Sequence, residues 1–194
     1  MSEHMPPIPH AARIYDYLIG GDDYTPADQA AAGAMTGLLP SLPKWLPMLR
    51  DYLPRMAAML YEQGFRHFVD FASGLPHNHL HSALGEDARI VYSDIDPEIV
   101  ARGREILRDR PNTRYVAADV TRPLGLLNDP AVADFLGRPE RLAVGLSGVA
   151  VFLQPAAFGQ VLDTLYDALP SGSKAFITYE TQDPGLSSPP LTTF

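Results

Sequence analysis

Three aspartates stand where short β-type runs end. Val69-Asp70-Phe71-Ala72-Ser73-Gly74-Leu75-Pro76 closes the first run, Arg89-Ile90-Val91-Tyr92-Ser93-Asp94 the second and Ala117-Ala118-Asp119-Val120 the third. The loop after Asp70 lacks the G-x-G-x-x-G of a dinucleotide site, and a carboxylate there would repel a pyrophosphate. A ligand with a cationic head suits it better; the plain alternative is that Asp70 and Gly74 only make a strand-to-helix turn. Asp94 follows 24 residues later, close to the spacing at which a nucleotide-binding βαβ unit places a carboxylate on ribose hydroxyls. Asp96 precedes Pro97 and reads as a helix N-cap, which leaves Asp94 for a diol. With Asp119, the set describes a crevice for an amino acid, a ribose and the exocyclic amine of an adenine in turn.

The elements that must position these acids follow from periodicity and punctuation. The first part is helical: Ala11 to Ile19 stops at Gly20-Gly21, Pro26 to Leu39 starts behind Thr25 as N-cap, and Lys44 to Gln63 carries an apolar stripe interrupted by Pro47 and Pro54. Trp45, Met48, Met56 and Met59 read as helical core. Beyond Gly64, strands are expected at His67 to Ala72, Arg89 to Asp94, Thr113 to Ala118, Leu142 to Ser147 and Lys174 to Tyr179. Helices are expected near His79 to Leu84, Pro97 to Arg108, Pro130 to Leu136 and Pro155 to Leu169. In the last, Phe158, Val161, Leu162, Leu165, Tyr166 and Leu169 form one stripe. The alternation predicts an α/β fold, a doubly wound and mostly parallel Rossmann-like sheet, with ligands bound beyond the carboxyl ends of its strands. Residues 1–64 are expected to form a helical lid, 65–182 the core and 183–194 a flexible or edge-covering tail.

Composition narrows the classes of function. The 194 residues carry 23 acidic against 15 basic side chains, a net charge of −8, which opposes a broad phosphate-binding face and so nucleic acid as a main partner. The absence of cysteine rules out disulfides, thiolate zinc, iron–sulfur clusters and a cysteine nucleophile. No apolar run reaches the ~20 residues that cross a bilayer, and the polar start has no signal-peptide pattern, so a cytoplasmic protein without membrane contact is expected. His77, His79 and His81 alternate, and alternate residues on a helix diverge, so no metal is expected there.

The arrangement resembles the class I S-adenosylmethionine-dependent methyltransferases, and more narrowly an actinobacterial S-adenosyl methyltransferase family once known only as a domain of unknown function. The narrower likeness rests on Arg13-Ile14-Tyr15-Asp16-Tyr17-Leu18-Ile19-Gly20-Gly21-Asp22-Asp23 with Asp28 after it, on the Asp70 to Pro76 loop and on Val91 to Pro97. It runs through Ala118-Asp119 and the strand from Leu142 into Val149 to Leu153. The resemblance implies that Asp70 and Gly74 meet the methionine part of the cofactor, Asp94 the ribose, Asp119 and Val120 the adenine, and Ser147 the floor beneath the sulfonium. Tyr15, Gly21, Ala72 and Ile95 join the cofactor contacts, and Tyr15 and His81 are the catalytic candidates. The family pattern has glycine at Ala72, lysine at Asp22 and histidine at Val151. It also continues past the fifth strand with two further strands. A sheet lacking these exposes an edge, so a homodimer, a partner chain or a folded-back tail is expected over Phe176 to Tyr179.

The implied reaction is methyl transfer from S-adenosylmethionine to a small molecule, with S-adenosylhomocysteine as product. Two other readings stay open: the same cofactor used for cyclisation or cleavage, or a degenerate fold acting as a binding or regulatory module.

Overall fold

The structure is a computed structural model in which residues 8–179 are described. Three helices come first: α1 (Ala11–Leu18), α2 (Pro26–Leu38) and α3 (Leu42–Glu62). The His10 imidazole caps α1 by accepting the Ala12 amide, and Thr25 and Asp28 form a reciprocal capping box on α2 with Pro26 in its first turn. In α3 the buried positions Leu42, Leu46, Arg50, Leu53, Met56, Ala57 and Leu60 follow the helical repeat. The helix runs through Pro47 and Pro54 without a break. Pro54 has no N–H to give the Arg50 carbonyl four residues earlier.

The sheet that follows is β1 (His67–Asp70), β2 (Arg89–Asp94), β3 (Thr113–Ala117), β4 (Ala143–Leu146) and β5 (Lys174–Ile177), all parallel, in the order β3-β2-β1-β4-β5. Strand order reverses between β1 and β4, which opens the crevice at their carboxyl ends. The crossover helices are α4 (Pro97–Ile106), α5 (Pro123–Leu127), α6 (Pro130–Leu136) and α7 (Pro155–Ala168).

Residue alternation along the strands sorts the core into two layers. Phe68, Ile90, Tyr92 and Tyr115 face α3 and α4, where Leu53, Met56, Leu60, Ile99 and Val100 pack on them. Val69, Phe71, Val91, Val144 and Leu146 face α5, α6 and α7 through Leu126, Val132, Leu136, Val161 and Leu165. A third cluster of Leu18, Ala32, Leu42 and Leu46 joins the N-terminal helices. Helix α3 thus serves two clusters, with its first turns in the N-terminal group and its second half on the sheet.

Several expectations are corrected. The helix expected at His79 to Leu84 is only a 3-10 turn, Leu80–Ser82. Asn78 at φ +45° breaks the helical path, and α3 already fills that face of the sheet against Leu80. Strand β1 ends at Asp70 because Ala72 turns to φ +50°. Met48 and Met59 are 71% and 50% exposed instead of core, and Tyr166 is 86% exposed, the one member of the α7 stripe left out of the second layer, which takes Phe158, Val161, Leu162, Leu165 and Leu169. Helix α5 was not foreseen. The expected tail at 183–194 lies outside the described residues. No helix among the described residues is long and apolar enough to cross a membrane.

Candidate active site

The loop after β1 is stitched across the top of the sheet. Phe71 donates its amide to the Gly145 carbonyl at 3.0 Å and Ser73 donates to the Ser93 carbonyl at 2.8 Å. Gly74, at φ +60°, donates to Asp94 Oδ2 at 3.2 Å, and the Tyr115 hydroxyl donates to the Gly74 carbonyl at 2.6 Å. Asp94 Oδ1 accepts the Asp96 amide at 3.0 Å. Asp94 is therefore buried beneath the crevice and holds the loop by one oxygen and the next turn by the other. A carboxylate offers about four lone-pair sites, so two remain for hydroxyls. Asp96 is the α4 N-cap, as expected, accepting the Glu98 and Ile99 amides at 2.7 and 3.2 Å. Beside them the Ile95 side chain is 69% exposed.

Asp119 is half-buried at the next strand end, where its Oδ1 accepts the amide and hydroxyl of Thr121 at 2.8 and 2.7 Å. Those bonds, the hydroxyl first, hold its carboxyl below the usual range. Ser147, past β4, lies 3.0 Å from the Thr178 hydroxyl, which also accepts the Gly148 amide. The carboxyl ends of β1, β2 and β3 are neighbours, so Asp70, Asp94 and Asp119 share one end of the sheet.

Asp70 lies deeper than the other two, at 1% exposure. Its Oδ1 has no partner, and a Cβ on Gly145 would collide with it. Burial pushes its carboxyl up to about 6, with Ser73 and Arg50 offsetting part of the rise. His79 Nδ1 accepts the Leu80 amide at 2.9 Å, which leaves the imidazole proton on Nε2, 3.5 Å from Asp70 Oδ2. Burial holds His79 neutral, well below the usual histidine range. His81 turns instead to the Tyr92 hydroxyl, which lies 3.0 Å from both its amide and its Nδ1, and burial brings it down to about 4. His77 faces the N-terminal helices. The three histidines thus point to three different partners.

The N-terminal helices supply the other wall. Tyr15 lies under the Arg50 guanidinium, 4.9 Å from ring centroid to Cζ, and burial raises its phenol while Arg50 offsets part of the rise. Asp16, 1% exposed, accepts the Asp23 amide at 2.9 Å through Oδ2, leaves Oδ1 without a partner and packs directly on Gly21. Asp23 binds His77 Nε2 at 2.7 Å and Arg102 Nε at 2.6 Å. Asp22, Asp23 and His77 bring ligand atoms within 4.8 Å of one another, with both Asp23 oxygens already engaged by His77 and Arg102. Between α1, α3 and the loop lies a cleft of about 200 Å³ lined by Gly20, Gly21, Pro47, Arg50, His77 and Asn78, among others. Arg50 was missed in the sequence, although an arginine inside the apolar stripe of α3 is a readable signal. It is 6% exposed, and its Nε and Nη1 meet no acceptor.

An open parallel sheet with acids at consecutive strand ends and a helical N-terminal wall defines a Rossmann-like methyltransferase of class I, dependent on S-adenosylmethionine. The chain belongs to the S-adenosyl methyltransferase family, whose model matches residues 6–188. A crystal structure of a candidate methyltransferase from Thermobifida fusca is 35% identical, with a TM-score of 0.83 over 91% of this chain and 68% of that one. A DUF574 family protein from Streptomyces avermitilis is 36% identical, with a TM-score of 0.75 over 88% of this chain and 68% of that one. PigF with SAH shares the fold at 18% identity and a TM-score of 0.51, over 92% of this chain and 47% of that one. None of the curated proteins matches the chain.

The buried atoms fit the cofactor. Partnerless carboxylate oxygens on Asp16 and Asp70 give the site a negative field for a sulfonium and an ammonium, and Asp94 retains acceptor capacity for a diol.

Proposed function

We propose that the chain methylates a small-molecule acceptor, with 1–64 closing over a 65–182 core. The observation that carries this reading is the Asp94 bridge, an acid at the end of β2 that fixes Gly74 and Asp96 and still has lone pairs for a ribose. When bound, S-adenosylmethionine supplies an already activated methyl group, so the protein's work is alignment and exclusion of water. Asp94 accepts from the ribose hydroxyls, Ile95 and Val120 flank the base, and Asp119 accepts from its amine. Ala72 and Gly74 shape the loop under the methionine part, with Asp70 fixing the loop from below through its backbone carbonyl, which accepts from Ser73 and Ser93. Gly21 and Tyr15 close the lid side, and Ser147 forms the floor. Tyr15 and His81 remain the catalytic candidates: Tyr15, whose raised phenol keeps its proton, to orient the acceptor by donating a hydrogen bond, and His81 as the group with a nitrogen lone pair to receive the acceptor's proton.

A small acceptor is favoured by the acidic charge of the chain, which opposes a broad nucleic-acid face. The test is incubation with methyl-labelled S-adenosylmethionine and a metabolite extract. Label in low-mass products together with S-adenosylhomocysteine is expected; label confined to protein or nucleic acid, or methylthioadenosine as the product, would overturn the reading. Assembly belongs to the same proposal. Among the described residues β5 pairs only with β4, and Tyr179, two residues past β5, is exposed. Sedimentation at micromolar concentration should give the mass of two chains, and a single-chain mass would remove the dimer.

A further inference from the structure

Among the described residues, Arg50 is a cation buried in the cleft wall with two guanidinium nitrogens, Nε and Nη1, that meet no acceptor. It is more than nine-tenths buried and lies on the face of Tyr15, and its charge is felt by the buried Asp16 and Asp70. A guanidinium cannot shed its proton, so it stays charged there and calls for an anion. The surroundings limit which anion. Asp16 has a free oxygen behind Gly21, Asp23 sits on His77, and Asp51 lines the same cleft. A doubly charged phosphate would meet these acids at close range, whereas a carboxylate with an ammonium on the adjacent carbon enters as a neutral pair and has an opposite charge for each end.

From this geometry we infer that Arg50 is the carboxylate-binding residue for the amino-acid end of S-adenosylmethionine, with the free oxygen of Asp16 supplying the field for the neighbouring ammonium. The inference rests on the proposed cofactor site. The cleft adjoins that site directly, since His77 and Asn78 follow the Asp70 to Pro76 loop without a break. In this arrangement α3 contributes to ligand binding as well as to the core, and the Tyr15 face holds the guanidinium plane in position for a two-point contact.

The test compares two ligands that share the adenosine and the sulfur, S-adenosylhomocysteine and 5′-methylthioadenosine, the second lacking the amino-acid end. Calorimetric titration of Arg50→Met should show S-adenosylhomocysteine weakened about 10- to 100-fold, as for loss of a charge-assisted pair, and methylthioadenosine changed less than about twofold. Arg50→Lys keeps the charge but not the fork, and should lose about fivefold or more on S-adenosylhomocysteine alone; it carries the test if the methionine variant does not fold. Unchanged affinity for S-adenosylhomocysteine would overturn the inference and leave the acceptor as the carboxylate's source. Equal losses on both ligands with a lower melting temperature would also overturn it, making Arg50 structural. A parent protein that binds neither ligand would sink the cofactor site itself, a result distinct from either.

Discussion

Asp94 and Asp96 lie two residues apart and do different work. Asp96 spends its Oδ1 on the first turn of α4, whereas Asp94 ties the glycine loop and keeps capacity for a ligand. Asp94→Ala should weaken S-adenosylhomocysteine by 100-fold or more in titration, while Asp96→Ala should cost about 1 kcal/mol of stability, as for a lost N-cap, with little change in affinity. Asp70 gives a pH signature. Its folded value of about 6 exceeds the ~3.9 of an unfolded aspartate, so between these values the native state holds a proton that the unfolded chain has lost. The group therefore costs stability progressively as pH rises from about 4 to about 6, and the cost is complete above that. Asp70→Asn should be more stable than the parent at pH 7.5, by about 3 kcal/mol at most, and the two should converge near pH 4 in thermal melts.

At the scale of elements, the N-terminal helices are organised around Asp28. It is fully buried and accepts from the His10 amide, the Arg13 guanidinium, and the amide and hydroxyl of Thr25. Burial alone would raise its carboxyl, but these donors overcome it and bring it to about 2. A depressed folded value means stability that is full above the unfolded value near 3.9 and is lost as pH falls toward 2. Circular dichroism should show loss of helix in that window, and Asp28→Ala should cost about 2–4 kcal/mol at neutral pH by leaving Arg13 and two backbone donors unmet. The strands were legible because each is a short β-rich run closed by an acid or a turn, and the N-caps because Thr25-Pro26 and Asp96-Pro97 carry their own chemistry. The helix expected at His79 to Leu84 was not legible as a turn, since what displaces it is α3, a segment some twenty residues upstream whose position is set by tertiary packing. Arg50 left a signal, an arginine inside the apolar stripe between Leu46 and Leu53, but its burial follows only once the third helix is laid on the sheet.

For the whole molecule, sheet order and ligand site are one fact. The reversal between β1 and β4 fixes where a ligand must enter, and the acids at 70, 94 and 119 fall at that end because their strands are adjacent. Only the middle acid is both well buried and equipped for a diol, which no spacing argument could show. Because binding should order the loop and the helices above it together, S-adenosylhomocysteine at 100 times its Kd should stabilise the folded chain by about 2.7 kcal/mol in a thermal melt. No shift at millimolar ligand would argue for a chain that has lost its cofactor.

The wall of helices is fastened to α4 by His10 against Asp96 at 3.1 Å and by two charge pairs, Arg13 with Glu98 at 3.3 Å and Asp23 with Arg102 at 2.6 Å. Glu98 is largely exposed and Arg102 partly so, and mobile ions shield such pairs. The hasp should loosen in brine. Where escape of the spent nucleoside limits turnover, moving from 50 to 500 mM sodium chloride should speed each cycle while the grip on the nucleoside slackens, so that the ionic medium sets the tempo of the catalyst.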